Sequence, residues 1–216
     1  RNGVKFHTTD FFKPSRDFNA DDVLFTFNRL LDADSPFRKA YPSESPYFTD
    51  MGLNTTIKSV DKLDDHTVRF NLNNVDAAFV QNLAMSFASV QSAEYAAQLL
   101  KEGKAEDINQ KPIGTGPFVF KRYQKDSQIR YVANKQYWKP EDVKLDNLVF
   151  AITPDAASRL QKLKAGECQV SGYPRPADIE VMKQDPNLHV LQQAGFNLGF
   201  LAYNVTHPPL DQLKVR

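Results

Sequence analysis

The apolar positions of this chain change period several times along its length. Val23, Phe27, Leu30 and Leu31 recur at the three-to-four spacing of one helix face. Asn19 precedes them as an N-cap, and Asp21 and Asp22 occupy the first turn, where the helix dipole favours anions. Val68, Phe70 and Leu72 alternate with Arg69 and Asn71, so residues 67–72 read as a half-buried strand. A second strand at 57–60 would pair with it across a turn at Asp64-Asp65. Asp76 reads as the cap of a short helix carrying Phe79, Val80 and Leu83. Ser92 caps another with Tyr95, Leu99 and Leu100, and Gly103 is its C-terminal stop. Val4 and Phe6 look like the end of a strand. Residues 11–18, 32–53 and 104–112 read as loops, the second because it holds Pro36, Pro42, Pro46 and Gly52.

After Gly114-Thr115-Gly116-Pro117 the period-two pattern returns. Strands are expected at 118–123 and 128–133, joined by a polar turn at Lys125-Asp126. Next come a strand at 148–152, a helix at 154–164, a strand at 168–170, a helix at 176–183, and strands at 188–191 and 196–203. Pro154 and Gly166 bracket the first of these helices in the favoured order. Such alternation implies an α/β lobe, separated near 112–114 from a first half that mixes helices and strands. The fold class is therefore α/β in the broad, mixed α+β sense.

Composition narrows the function classes. The 216 residues suffice for one or two domains. With 27 Lys plus Arg against 26 Asp plus Glu, the net charge is +1, which argues against a nucleic-acid partner. No apolar run approaches the roughly 18 residues of a membrane span. Cys168 is the single cysteine, so neither an internal disulfide nor a cysteine zinc cluster can form. The chain opens on Arg1 and closes on Lys214-Val215-Arg216 without terminal punctuation, and it reads as an internal piece of a longer polypeptide.

Candidate chemistry is sparse. His7, His66, His189 and His207 form no helical pair and no HExxH pattern, so they read as unrelated polar or half-buried residues with no metal implied. Asp21-Asp22 and Asp64-Asp65 fall where Asp has structural work at a helix start and in a turn. Gly114-Thr115-Gly116 lacks the spacing of a phosphate loop and precedes Pro117 and a strand, so it reads as a fixed bend. No nucleophile motif appears, and the residues imply a binding protein rather than an enzyme, with no cofactor.

Several ordered segments carry a resemblance. They are Phe18-Asn19-Ala20-Asp21-Asp22-Val23-Leu24-Phe25-Thr26-Phe27, Pro112-Ile113-Gly114-Thr115-Gly116-Pro117-Phe118, Tyr137-Trp138, Lys162-Leu163-Lys164-Ala165-Gly166-Glu167-Cys168 and Leu210-Asp211-Gln212-Leu213-Lys214-Val215-Arg216. Together they resemble the solute-binding proteins of peptide/nickel ABC transporters, family 5, across essentially the whole chain. The resemblance implies an incomplete periplasmic-binding-protein type II-like fold with the family's extra domain II. Residues 1–112 would be most of domain II, 113–202 the middle part of domain I, and 203–216 the start of domain III. It implies periplasmic capture of dipeptides or short peptides for permease subunits in the inner membrane, a signal peptide on the full-length precursor, and no catalysis. Haem, glutathione or another small ligand on the same scaffold, or reporting to a chemoreceptor, are the alternatives. The acidic and basic residues that hold a peptide's termini in the family would lie outside this chain. Met85, Ser86 and Phe87 are expected on the pocket wall, and Gly114 and Thr115 near the cleft or at a structural bend. Cys168 is expected to pair with a cysteine that this chain does not contain.

Overall fold

The structure is a computed structural model and describes residues 1–195 and 198–216. Phe196 and Asn197, which open the strand expected at 196–203, lie outside the described residues. The chain divides into two compact units, Arg1–Thr153 and Pro154–Arg216.

In the first unit, helix α1 (Ala20–Leu31) forms where the helical spacing predicts it. The Asn19 side chain accepts from the Asp21 N–H, and the Asn19 N–H donates to the Asp22 carboxylate at 3.0 Å. Asp22 is wholly buried, yet its carboxylate accepts four hydrogen bonds. Oδ1 takes Arg16 Nη2 at 2.9 Å and the Ala93 N–H at 2.8 Å. Oδ2 takes Arg16 Nη1 at 2.8 Å and the Asn19 N–H. One turn later the buried Thr26 hydroxyl donates to the Asp22 carbonyl at 2.8 Å and accepts from the Gln91 N–H at 2.9 Å. The inner side of α1 is thereby bonded to the loop before it and to the approach of helix α6 (Ala93–Glu102). Ser92 caps α6 by accepting from the Tyr95 N–H, and Gly103 closes it at φ +68°, where a side chain would be strained.

Helix α1 serves two cores. Phe25 leans on one, built from Phe6, Phe12, Phe37, Tyr95, Leu99 and their neighbours. Phe27 and Leu30 belong to the other, with Phe48, Leu53, Ile57, Val60 and Phe79. Edge-to-face rings join elements in the second: Phe27 meets Phe70 at 4.9 Å, and Phe70 meets Phe79 at 5.5 Å. Phe70 lies on β2 (Thr67–Leu72), the antiparallel partner of β1 (Ile57–Asp64), as the alternation implies. Lys62 on β1 reaches Asp21 at 3.0 Å and Asp65 at 2.8 Å, tying this hairpin to the start of α1.

The stretch expected as one long loop at 32–53 instead contains α2 (Pro36–Ala40) and α3 (Pro46–Asp50), and α4 (Leu53–Thr56) follows directly. Pro36 and Pro46 are initiators rather than breakers: each stands in the first turn of its helix, where no N–H is needed, whereas Pro42 lies between α2 and α3. These short helices bury Phe37, Phe48 and Leu53. The Asp76 carboxylate accepts from the Ala78 N–H just before α5 (Phe79–Asn82), close to the expected cap. A 3-10 turn follows at Ser86–Ala88. Similarly, the 104–112 loop holds α7 (Asp107–Gln110), which buries Ile108. Val4 and Phe6 are buried but belong to no strand, because their segment makes isolated hydrogen bonds instead of a ladder.

The unit ends in an antiparallel meander of β3 (Phe118–Gln124), β4 (Gln128–Ala133) and β5 (Asn147–Ala151), in that spatial order. Phe120, Tyr131 and Phe150 form an edge-to-face row across it at 5.9 and 6.0 Å. The register of β3 shifts between Phe120 and Arg122, the mark of a β-bulge.

The second unit holds α8 (Ala156–Lys164), capped by Asp155 through the Ser158 N–H at 2.7 Å, and a 3-10 turn at Pro176–Asp178 that leads into α9 (Ile179–Gln184). The strands expected at 168–170 and 188–191 do not form, nor does any strand among described residues 198–203. A period-two pattern needs a neighbouring ladder, and none is offered there: Val170, Leu191 and Phe200 stay at least 83% exposed. No helix among the described residues is long and apolar enough to cross a membrane.

Replacing Asp22 by Ala removes the acceptor of four donors at a fully buried point. The expected loss is about 3–5 kcal/mol in urea unfolding of this chain. A loss below about 1 kcal/mol would show that the carboxylate does not join these segments.

Candidate functional site

The segment before β3 is held by two side chains far away in sequence. The His7 N–H donates to the Gly114 carbonyl at 2.9 Å, and His7 Nε2 bonds the Gly116 carbonyl at 2.9 Å. That carbonyl also accepts from Asn134 Nδ2 at 2.9 Å, and the Asn134 N–H donates to the Pro117 carbonyl at 2.8 Å. A carbonyl can only accept, so Nε2 carries the proton in the His7 contact. Burial holds the His7 imidazole below its ordinary value of 6.5, while its bond to Gly116 opposes that shift. The neutral ring latches the segment at residue 7 to the segment at 114–116. This is the local reason for the Gly114-Thr115-Gly116 bend: the expected Gly114 and Thr115 stand, half-buried, in a latched crossing.

Met85, Ser86 and Phe87 form the corner after α5. Met85 accepts through its carbonyl from the Ala88 N–H at 3.0 Å, and Ser86 does so from Ser89 at 3.1 Å. Phe87 turns inward and meets Phe48 edge-to-face at 5.7 Å. Met85 is half-buried and Ser86 exposed, so these two carry the free surface of the trio. Among the described residues no hydrogen bond or ring contact joins this corner to Gly114 and Thr115. Cys168 belongs to the second unit, in the irregular segment after α8, as a half-buried free thiol.

The first unit also has a cavity of about 270 Å³ beside Lys5, Arg16 and Asp17, and one of about 330 Å³ beside Phe11, Phe120 and Tyr123. None of the six sequence-predicted residues lines either. Among the described residues no group of three His, Cys, Asp or Glu could hold a metal. His66, His189 and His207 are exposed, so His7 alone is a buried histidine. Sequence reasoning missed its role and that of Asn134. Neither has a local motif, because their partners are set by tertiary approach.

Comparison with known proteins adds an independent line. Residues 1–216 match the family model for bacterial extracellular solute-binding proteins, family 5 (middle). The chain is 71% identical over its whole length to di/tripeptide-binding protein 1 of Pseudomonas aeruginosa (strain UCBPP-PA14), of which it spans 40%. It is 48% identical to heme-binding protein A of Haemophilus influenzae, again over all of the chain and 39% of the relative. Among solved structures, the dipeptide-binding protein from Pseudoalteromonas sp. SM9913 in complex with Met-Leu superposes with a TM-score of 0.92. Identity there is 40%, over all of this chain and 42% of that one. The chain thus spans about 40% of the length of the curated relatives it matches.

The latch makes stability depend on pH with a definite sign. The folded pKa of His7 lies below the unfolded value near 6.5. Its contribution is therefore full above pH 6.5 and is lost as pH falls from there through the folded pKa. One such group changes stability by at most about 1.4 kcal/mol per pH unit. His7→Gln keeps a donor without the titration. Its unfolding free energy between pH 7 and 5 should fall less steeply than that of the parent, and superimposable slopes would refute the assignment.

Proposed function

The chain belongs to the bacterial extracellular solute-binding proteins of family 5, and from that premise we propose that it is part of a periplasmic receptor that captures dipeptides or short peptides. The receptor would release them to the permease subunits of an ABC importer in the inner membrane, without catalysing any reaction. The observation that carries this reading is the end-to-end similarity to a di/tripeptide-binding protein, joined to a matching fold in a relative crystallised with Met-Leu.

Within that reading, residues 1–112 form most of domain II, 113–202 the middle of domain I, and 203–216 the beginning of domain III. The His7 latch then ties the early part of domain II to the point where the chain returns to domain I. Peptide enclosed between domains I and III is held in extended form by strand-like hydrogen bonds, a mode that tolerates many side chains. Domain II supplies part of the wall. Phe87 is committed to Phe48, so Met85 and Ser86 are the groups that offer surface to a ligand, with Phe87 fixing their position. Met suits such a wall because its thioether adapts to differently shaped side chains. Gly114 and Thr115 act through the bend. Cys168 pairs in the whole protein with a cysteine outside this sequence.

A second reading, haem in place of peptide, is favoured by one observation: the heme-binding relative is nearly half identical across the whole chain. The exposed surface positions of His66, His189 and His207 give it no assembled ligand set.

Isothermal titration with a panel of dipeptides, run on this chain and on the full-length parent, tests the proposal. The parent is expected to bind and this chain alone not to. A parent that ignores every dipeptide but takes up haemin would overturn the peptide reading. In the parent, Met85→Glu should weaken dipeptide binding about tenfold or more at an unchanged melting temperature, because it puts a charge on an apolar wall. Unaltered affinity would remove Met85 from the wall.

A further inference from the structure

The groove beside α7 and β3 has the make-up of a binding site that the transport reading does not use. Its volume of about 330 Å³ lies at the small end of the roughly 300–1,000 Å³ typical of ligand pockets. Its walls are aromatic: Phe11, Phe120 and Tyr123. Its charged groups are all cationic, Lys111, Lys121 and Arg122, and the neutral Gln110 lies beside them. The rings are held in place from behind. The Phe11 carbonyl accepts from Gln98 Nε2 at 3.1 Å, and its ring tilts against Tyr95 at 6.1 Å. Phe120 is buried against Tyr131. Tyr123 remains 43% exposed at the rim.

Two further features point to the charge of an occupant. Among the described residues β3 is an edge strand, and its bulge falls at Lys121, between Phe120 and Arg122. A bulge at an edge re-aims side chains that a regular ladder would send elsewhere. Arg122 also stands directly opposite Arg130 on β4, and like charges directly opposite each other destabilise a sheet. Lys111 is answered by Asp107 at 2.8 Å, whereas neither Lys121 nor Arg122 makes an ion pair among the described residues. An anion seated between them would relieve the repulsion and gain charge-assisted hydrogen bonds.

We propose that this groove is a second ligand site, distinct from the peptide cleft, and that it takes a small aromatic carboxylate. The ring lies among Phe11, Phe120 and Tyr123, and the carboxylate meets Lys121 and Arg122. Aromatic walls alone would accept any flat apolar group, so the two cations set the selectivity.

The test uses the isotope-labelled full-length protein and phenylacetate as the probe, followed by backbone amide shifts. Saturable shifts are expected at residues 120–124 and 111. Phenylacetamide, which keeps the ring and loses the charge, should bind about tenfold more weakly or worse. The doubly reversed variant Lys121→Glu with Arg122→Glu should lose phenylacetate binding by at least the same factor. Both positions are exposed, so the variant's circular dichroism and dipeptide affinity should match the parent. Saturating dipeptide should not displace the probe. Absence of shifts in β3, equal affinity for the amide, indifference to charge reversal, or displacement by dipeptide would each overturn the proposal. Loss of dipeptide binding alone, with phenylacetate still bound in β3, would sink the transport reading and leave this one standing.

Discussion

A carboxylate fully out of water is untenable unless every lone pair is answered, and Asp22 is the point in this structure where that condition is met. Its four donors come from three places: the loop at Arg16, the cap at Asn19 and the first residue of α6 at Ala93. The Arg16 guanidinium supplies a fork that matches the carboxylate's own geometry. That one group therefore fixes the direction in which the chain enters α1 and the place where α6 begins. Thr26 repeats the device one turn on, with a hydroxyl that both donates and accepts. Everything that packs on α1 inherits this orientation, including both apolar cores and the β1–β2 hairpin that Lys62 pins to Asp21.

The aromatic cores follow from that frame. With the axis of α1 set by polar bonds, Phe25 and Phe27 point to different cores. Phe25 finds Phe37, and Phe27 finds Phe70. Edge-to-face contacts are directional, so they transmit the placement of α1 to the short helices and to β2. The corner at Met85–Phe87 is the far end of this chain of contacts, because Phe87 rests on Phe48. If that corner is the ligand wall proposed above, it would be stiff behind, at Phe87 on Phe48, and adaptable in front, at Met85.

Sequence pattern revealed α1, α5, α6, the β1–β2 hairpin, all three strands of the β3–β5 meander, α8 and the helical stretch that holds α9, where capping residues and periodicity agree within a few positions. It failed at α2, α3, α4 and α7. Helices of four or five residues contain too few apolar repeats to show a period, and the prolines that open α2 and α3 look like breakers until the helix start is located. It also failed at the strands expected in the second unit, where alternating apolar residues describe what a segment could pair with rather than a pairing that exists. In the candidate site, the bend at Gly114-Thr115-Gly116 was legible because glycine and proline mark bends. Its partners His7 and Asn134 were not, since contacts across long sequence separations leave no local trace. The membership of Phe87 in a core and the surface of Ser86 were likewise hidden, because adjacent residues in a 3-10 turn face different ways.

The latch at His7 also closes a ring. The residues it joins stand 109 positions apart, and holding such a span together costs about 4 kcal/mol of loop entropy on the logarithmic estimate. The reward is that the two ends of the stretch between them are held within hydrogen-bond reach of each other, at the His7 N–H and the His7 ring. A segment whose two ends touch can be gained, lost or exchanged as a unit with little disturbance to its host. Residues 8–113 therefore have the geometry of a cassette, and the histidine is its clasp.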